Sequence, residues 1–430
     1  MAYDTLSSRG RATANTSMRK ILTPILADNY DPETNPTGYV NMGTAENYIM
    51  TPAVSKFANQ TIRTTSKTFT YGQGPWGSSR LRRAMASHMS RHFHSVYPID
   101  ADDILFANGI TSLCELIAFT IAEPNDAILL PSPIYQAFQT DFSAKAGLKC
   151  VFAPFHGSDQ FAPECITYYE QAYQKAEANG TKIRGLLLCN PHNPLGKCYP
   201  RSALIALMRF CQSHEIHLLA DEVYALSVYD INDDAAEPFT SVLSFDSSEY
   251  IDRNLLHVLY GFSKDFASGG LRLGCMHTRN PALMDAVGAI TQFAWSGSMN
   301  ELVAVSMLED QSWLDGFVAE SRRLLAQGNL LVRDILDGKG IPYFKGSNAG
   351  FFIWMDLRPW LPEANDKGEV LEDAWDREAE LVKRFSENKL YFTDGKSLSA
   401  EEAGWFRVIF SQEQTVVKEG FRRLFKILGV

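Results

Sequence analysis

The chain is poor in the features that mark disulfide-stabilised, nucleic-acid-binding and membrane-spanning proteins. It has 7 cysteines in 430 residues, and this odd, scattered set does not form a disulfide framework. A formal net charge of -10 argues against nucleic acid as a partner, because binding phosphates needs basic patches. No hydrophobic run approaches the roughly 18–20 residues of a membrane span. We therefore expect a cytoplasmic protein with reduced cysteines and no contact with nucleic acid or membranes.

Short apolar runs alternate with helical patterns from about residue 51 to 300, which is typical of a mainly parallel sheet with helices on both faces. This pattern predicts an α/β fold. Helices are predicted between the strands, for instance over Ser112–Ala122 and Ser202–His214. The predicted strands are Ile104–Ala107, Ala127–Leu130, Gly185–Cys189, Ile216–Ala220, Leu256–Gly261 and Leu273–Thr278.

The pattern changes after about residue 300, where a long helical run over Met299–Ile335 leads into two strands and two further helices. We predict a large domain over residues 51–300. Residues 301–430 then form a connecting helix and a small C-terminal domain, and residues 1–50 form an N-terminal arm and part of that small domain. The small domain is thus an α+β unit made of both chain ends.

Three predicted strands end in residues with reactive or polar side chains. Asn190, Asp221 and Lys264 follow the strands that begin at residues 185, 216 and 256. Ligands bind at the carboxyl ends of strands in open parallel sheets, so an amide, a carboxylate and an amine should meet at one edge. This convergence predicts a ligand site at that edge.

The three residue types suit pyridoxal chemistry. A lysine amine such as Lys264 forms Schiff bases with carbonyl compounds, pyridoxal phosphate among them. A carboxylate such as Asp221 keeps a pyridine nitrogen protonated, and Asn190 and Tyr224 can donate to the ring's phenolate oxygen. The alternatives are a solvated loop lysine at position 264 and a helix N-cap at position 221.

Other residues near strand ends could complete such a site. The turn around Gly109, with Ile110 and Thr111, offers backbone amides at a helix start for a phosphate, and it could equally be an ordinary capped turn. Arg272 would lie within reach of the phosphate. Tyr135 could stack on the pyridine ring or belong to the core.

Arg407 lies inside the apolar run WFRVIF, so its charge must find an anion. A substrate carboxylate held by two hydrogen bonds is one partner, and a structural ion pair with Asp or Glu is the alternative.

Two further patterns indicate other chemistry only weakly. GQGPWG at residues 72–77 matches a dinucleotide-binding loop, but it lacks a clear preceding strand and has Tyr97 where the acidic residue belongs. Cys211, His214 and His217 have loose metal-like spacing across a helix end, and we predict no metal site.

Taken together, these segments resemble the fold-type I pyridoxal phosphate enzymes of the class I/II aminotransferase superfamily. Within it the chain resembles 1-aminocyclopropane-1-carboxylate (ACC) synthases and ACC synthase-like proteins. The resemblance runs from about Asn35 to Phe410 and is carried by NPTGYVNMGTAEN, YGQGPWG, ANGITS, PSPIYQAF, NPHNPLG, HLLADEVYA, FSKD, AGFFIWMDLR and GWFRVIF.

The resemblance implies pyridoxal 5'-phosphate as the cofactor, an amino acid as the substrate and a homodimer with shared active sites. Beyond the Schiff-base lysine, the implied cofactor contacts are the amides of Ile110 and Thr111, the residues Tyr135, Asn190, Asp221, Tyr224, Ser263 and Arg272, and Tyr71 from the other subunit. Lys264, Asp221 and Tyr135 are the implied catalytic residues. Arg407 and Glu46 are implied to bind the substrate.

The implied reaction is an α,γ-elimination that converts S-adenosyl-L-methionine to ACC and methylthioadenosine. An aminotransferase, or a C–S lyase acting on a cysteine conjugate, would use the same residues. One position departs from the family pattern, because Gly261 stands where a serine usually contributes a phosphate hydroxyl.

Overall fold

The computed structural model describes residues 5–15 and 19–430, so residues 1–4 and 16–18 of the predicted N-terminal arm lie outside the described part. The strands are β1 Val40–Asn41, β2 Ile104–Ala107, β3 Ala127–Ser132, β4 Lys149–Pro154, β5 Ile183–Cys189, β6 His217–Asp221, β7 Leu256–Gly261, β8 Gly274–Thr278, β9 Phe352–Asp356, β10 Leu390–Tyr391, β11 Thr393–Asp394 and β12 Trp405–Ile409.

The helices alternate with the strands of the central sheet and become longer towards the C-terminus. They are α1 Ser8–Asn15, α2 Arg19–Ala27, α3 Thr51–Thr61, α4 Ser79–His92, α5 Ile110–Ile121, α6 Ala137–Ser143, α7 Ile166–Ala178, α8 Arg201–Ser213, α9 Pro281–Ile290, α10 Ser298–Glu309, α11 Gln311–Asp337, α12 Ala374–Glu387 and α13 Gln414–Leu428. Within the described ranges, none of them combines the length and the apolar character needed to cross a membrane.

The central sheet has seven strands in the order β2-β8-β7-β6-β5-β3-β4. Strand β8 runs antiparallel to both of its neighbours, and the other pairings are parallel. Successive residues of β5 face opposite cores: Leu186 and Leu188 pack on one face and Leu187 on the other. Helices therefore cover both faces, and the predicted α/β fold with a mainly parallel sheet is confirmed.

The predicted strands all exist, with ends that differ by up to two residues. The edge strand β4 was missing from the sequence prediction. Its burial is partial, with Lys149 exposed, because only one side of an edge strand is covered by a neighbouring strand. Its sequence therefore lacks the continuous apolar run of the central strands.

A second, smaller unit contains the antiparallel sheet β11-β12-β9 and the parallel pair β1-β10. Pairing of β1 with β10 joins the N-terminal segment to the C-terminal part of the chain, because Val40 is opposite Leu390. The α+β unit is therefore built from both chain ends. The domain boundaries given above stay a prediction.

The long helical run predicted over Met299–Ile335 is two helices, because Asp310 interrupts it. The Asp310 side chain accepts a hydrogen bond from the Trp313 amide and caps α11. Helix α11 then links the two units: Phe317 packs in the core of the large sheet, and Val332 packs in the core of the smaller unit.

Candidate active site

The carboxyl ends of β5, β6 and β7 open onto a cavity of about 160 Å³. The strands are in register there, with Cys189 opposite Asp221 and Asp221 opposite Leu259. The cavity is lined by Glu46, Ile110, Thr111, Tyr135, Phe138, Asp141, Cys189, Asn193, Asp221, Val223, Tyr224, Ser263, Lys264, Gly269 and Arg272. Nine of the residues singled out from the sequence are therefore brought together.

Lys264 lies three residues beyond the end of β7 and is half-buried. Its Nζ donates a 2.6 Å hydrogen bond to the Ala45 carbonyl and lies 5.9 Å from the centre of the Tyr224 ring. Burial, followed by the nearby Arg407 charge, lowers the pKa of Lys264 to about 8. An amine with that pKa is neutral in part near pH 8 and can act as a nucleophile or base.

Asp221 is the last residue of β6 and is 5% exposed. Burial raises its pKa to about 7, although its Oδ1 accepts a hydrogen bond from the Val223 amide. A buried carboxyl group with a raised pKa favours a cationic partner in the cavity.

Tyr224 follows Asp221 closely and its hydroxyl is buried with no hydrogen-bond partner within the described residues. Burial raises the pKa of this phenol well above its ordinary value, so it is a neutral donor. Leaving such a group unpaired costs about 1–3 kcal/mol, which indicates that a ligand oxygen accepts from it.

The first turn of α5 and Arg272 form the cationic end of the cavity. Gly109 has φ 87°, and a Cβ there would be 2.7 Å from Nη2 of Arg272. The guanidinium thus lies against the turn that begins α5, next to the amides of Ile110 and Thr111. The helix N-terminus and the guanidinium both favour an anion at this place.

The glycine at position 261 has a packing reason. Gly261 pairs with Gly274 in the β7–β8 ladder, and a Cβ on Gly261 would lie 2.7 Å from the Leu273 carbonyl oxygen. A Cβ on Gly274 would lie 2.7 Å from the Ile110 amide nitrogen. The two glycines therefore let the strands approach the turn at the start of α5, and a serine at position 261 would need that packing to change.

Arg407 lies on β12 and is 1% exposed. Its hydrogen bonds go to neutral acceptors, the Asn193 side chain at 2.9 Å, the Gly43 carbonyl at 2.8 Å and the Thr393 hydroxyl at 3.2 Å. Its Nε has no partner within the described residues, and no carboxylate there forms an ion pair with it. The structural ion pair weighed as an alternative is therefore wrong, and the guanidinium can take an external carboxylate.

The remaining predicted residues lie in two places. Tyr135 and Glu46 line the cavity, where the Tyr135 ring packs edge-on against Phe138 at 5.2 Å. Tyr71 lies outside the cavity on the surface, 84% exposed, with its ring 5.5 Å from that of Trp295.

Asn190 does not line the cavity, which corrects the sequence-based assignment of this amide. It is fully buried, its Nδ2 donates to the Thr240 carbonyl at 2.9 Å, and its Oδ1 accepts from the Tyr199 amide at 3.0 Å. Both ends of the amide are thus used to fix the loop after β5. Asn193, three residues later, lines the cavity instead and contacts Arg407.

Asp141 is a second residue that sequence analysis missed. It lies on α6 between the buried Phe138 and Phe142, lines the cavity and hydrogen-bonds to Thr111. Burial raises its pKa to about 7. An acid among the apolar residues of a short helix was the available signal, because such a position is buried.

The two weak motifs have surroundings that differ from those expected of such sites. The segment before the GQGPWG loop is a 3-10 turn over Ser66–Phe69 instead of a strand. His214 bonds to Glu170 at 2.8 Å and His217 bonds to His257 at 2.9 Å, so the two histidines have different partners.

Comparison with known proteins identifies the family. The sequence profile described as aminotransferase class I and II matches residues 37–424. The chain belongs to this family. It is 32% identical to 1-aminocyclopropane-1-carboxylate synthase-like protein 1 of Bos taurus over 93% of the chain and 78% of the relative. It is 31% identical to 1-aminocyclopropane-1-carboxylate synthase 6 of Oryza sativa subsp. japonica, over 90% and 71%.

The fold is shared with an aspartate aminotransferase double mutant from Thermus thermophilus, with a TM-score of 0.75 and 17% identity over 98% of this chain and 99% of the other. Class I and II aminotransferases depend on pyridoxal 5'-phosphate, and this is the cofactor of the protein. The cavity fits it: Asp221 suits a pyridine nitrogen, the unpaired Tyr224 hydroxyl suits a ring oxygen, and Arg272 suits a phosphate.

Proposed function

We propose that this pyridoxal phosphate enzyme is an ACC synthase-like lyase that converts S-adenosyl-L-methionine to 1-aminocyclopropane-1-carboxylate and methylthioadenosine. The observation that carries the proposal is the carboxylate of Glu46, which lines the same cavity as Lys264. A carboxylate there attracts a substrate with a cationic sulfonium and gives no such advantage to a neutral side chain. The names of the relatives in cattle and rice support the same choice.

Several residues would hold the cofactor. Lys264 would carry it covalently, Asp221 would hold a proton on the pyridine nitrogen, and Tyr224 and Asn193 would donate to the ring oxygen. The remaining contacts would come from the stacking ring of Tyr135 and from the phosphate-binding group Ile110, Thr111, Ser263 and Arg272. When bound, the cofactor supplies a sink for the electron pair left on Cα after its proton departs.

The substrate would be held by its two charged ends. Arg407 would bind the α-carboxylate and Glu46 would face the sulfonium. Lys264, whose lowered pKa makes the neutral amine available, would then take the proton from Cα. The Cα–H and Cγ–S bonds break and a Cα–Cγ bond forms, so methylthioadenosine leaves and the Cα proton is released to solvent.

We also propose a homodimer in which Tyr71 reaches the cofactor phosphate of the other subunit. The support is a set of exposed aromatic side chains, Phe69, Tyr71, Trp76 and Phe293, which are between 43% and 84% exposed. The Tyr71 ring contacts Trp295, two residues after Phe293. Apolar surface of this kind marks interaction sites. Sedimentation should give a dimer, and Tyr71→Ala should weaken cofactor retention.

The reaction is tested by mixing the holoenzyme with S-adenosyl-L-methionine and assaying methylthioadenosine and ACC. Glu46→Gln should raise KM for this substrate about tenfold, because it removes one favourable charge interaction. Glu402→Gln is the matched control, because Glu402 pairs with Arg358 outside the cavity.

The aminotransferase is the alternative, because Lys264 could equally return the proton to the cofactor carbon. If an amino acid converts the bound cofactor to its amine form and releases a 2-oxo acid, while no methylthioadenosine appears, the lyase is wrong. Release of a thiol from a cysteine conjugate would indicate the C–S lyase.

A further inference from the structure

A second cleft of about 1010 Å³ lies between the two units of the fold, and it shares no lining residue with the cofactor cavity. One side comes from the loop after β4 (residues 155–161) and from Leu195 and Lys197 after β5. The other side comes from the smaller unit, with Trp354 on β9 and Trp405 on β12. The reaction proposed above gives this cleft no role.

Aromatic rings form much of the wall of this interdomain cleft. Trp354 and Trp405 are stacked almost parallel, with ring centres 5.7 Å apart and planes at 6°. Trp405 is half-buried, and Phe155, Phe161 and Phe344 complete the aromatic lining. Such a wall favours a flat apolar body, because stacked and edge-on ring contacts add to the gain from burial.

The carboxylates in the cleft already have partners. Glu401 accepts hydrogen bonds from the backbone amides of Phe155 and His156, the second at 2.7 Å. Asp159 accepts from the Phe161 amide at 2.9 Å, and Glu402 pairs with Arg358. Glu402 is therefore paired with a cation, and backbone donors stabilise the charges of Glu401 and Asp159.

Two donors in the cleft have no acceptor. Lys197 is half-buried, and its Nζ lies 5.4 Å from the centre of the Phe161 ring. This ammonium makes no ion pair or hydrogen bond within the described residues. Gln160, next to Phe161, is 5% exposed, and its Nε2 has no partner there. Burying the Gln160 donor without an acceptor costs about 1–3 kcal/mol, so an anionic or carbonyl oxygen in the cleft would stabilise it.

We propose that this interdomain cleft is a binding site for a small planar aromatic carboxylate. The ring lies against the Trp405 side of the cleft, and the carboxylate accepts hydrogen bonds from Lys197 Nζ and Gln160 Nε2. The occupant contacts both units of the fold close to Arg407, because Trp354 is opposite Arg407 in the β9–β12 ladder and Lys197 lies four residues after Asn193.

The test uses the holoenzyme with naphthalene-2-carboxylate as the probe and 2-naphthamide, which has the same ring without the charge, as its match. Calorimetry gives the affinities, and the cofactor absorption spectrum reports on the other cavity. Lys197→Gln should weaken binding of the carboxylate at least about tenfold and leave binding of the amide within threefold. The cofactor spectrum should not change on binding.

Two further variants sharpen the result. Gln160→Leu removes the second donor at similar size and should also weaken the carboxylate. Lys345→Gln is the control and should change affinity less than threefold. Lys345 also lines the cleft, but it is exposed and its Nζ is already engaged, 3.8 Å from Asp337 and 3.6 Å from the centre of the Tyr343 ring.

Equal affinity of the parent and Lys197→Gln for the carboxylate would overturn the proposal. So would absence of saturable binding up to about 10 mM, or binding that depends on Arg407 and alters the cofactor spectrum, since the probe would then occupy the cofactor cavity. None of these results bears on whether the protein releases methylthioadenosine, so the two proposals fail separately.

Discussion

The cofactor cavity has two walls that are built in different ways. On the wall formed by the parallel sheet, Asp221 and Lys264 are titratable groups whose pKa values burial moves to about 7 and about 8. On the side of the smaller unit, Arg407 is not itself a lining residue: it lies inside a strand and donates to neutral acceptors, among them the lining residue Asn193. The sheet wall can exchange protons near neutral pH, whereas the other wall supplies a permanent charge.

The largest expected effect comes from removing the amine of the sheet wall. Lys264→Ala should abolish the cofactor linkage that borohydride traps and lower turnover by about 10⁴-fold, because it removes the group that moves the Cα proton. Lys345 lies outside the cofactor cavity, so Lys345→Ala should keep both the trapped cofactor linkage and the turnover of the parent. Trapped cofactor in Lys264→Ala, seen by mass spectrometry, would mean that another lysine carries the cofactor.

The next effect addresses the permanent charge of the other wall. Arg407→Lys should lower kcat/KM about 100-fold, mainly through KM, because lysine keeps the charge and loses the two-pronged hydrogen bonds. Arg358→Lys is the control, because Arg358 pairs with Asp356 of the same small sheet and neither residue lines the cavity. Similar kinetics for Arg407→Lys and the parent would remove Arg407 from substrate binding.

The two asparagines of the loop after β5 should separate activity from stability. Asn193→Ala should lower kcat/KM about tenfold, since it removes a neutral hydrogen-bonding group from the cavity. Asn190→Ala should instead reduce the free energy of unfolding by about 1–3 kcal/mol, because the Tyr199 amide and the Thr240 carbonyl lose their partner. Denaturant unfolding and steady-state kinetics on both variants check this. If Asn190→Ala lowered kcat/KM and Asn193→Ala lowered only stability, Asn190 would be the residue that acts in the cavity.

The last expected effect is on the stability of the apoprotein and depends on pH. A raised pKa at Asp221 means that the folded apoprotein keeps a proton that the unfolded chain releases between about pH 4 and 7. The free energy of unfolding therefore falls as pH rises through this range. Asp221→Asn removes that dependence, so the apo variant should exceed the apo parent by about 1–4 kcal/mol at pH 8.

The free energies of unfolding of the two apoproteins should become equal near pH 4, where Asp221 of the parent is largely protonated in both the folded and the unfolded state. Urea unfolding at several pH values measures the difference. With cofactor bound, the parent should be more stable than Asp221→Asn at pH 8, because the Asp221 carboxylate would then pair with the protonated pyridine nitrogen. Parallel stability curves for parent and variant across pH 4–8 would contradict the pKa given for Asp221.

Most of the sheet wall was predictable, because strand ends can be read from the sequence. Apolar runs located β6 and β7, and the residues that follow a buried strand must emerge at its carboxyl end. Asp221 and Lys264 were found in this way. The edge strand β4 was missed because an exposed edge weakens the apolar pattern.

The choice between Asn190 and Asn193 was not predictable from the same rule. Both residues precede a proline in one turn, and the sequence pattern treats them alike. The Asn190 side chain donates to the Thr240 carbonyl and accepts from the Tyr199 amide, so it is fully used in tertiary contacts. The Asn193 side chain is left for the cavity. Distant partners therefore decided the assignment.

By itself, the sequence determined the α/β fold, the family and the residues at the strand ends, because hydrophobic periodicity and chain order are local properties. The tertiary structure alone decided which side chains reach the cavity, which charges lack a partner and where the second cleft opens. Those properties depend on contacts between segments far apart in the chain, such as the contact of Arg407 with Asn193 or the stacking of Trp354 on Trp405.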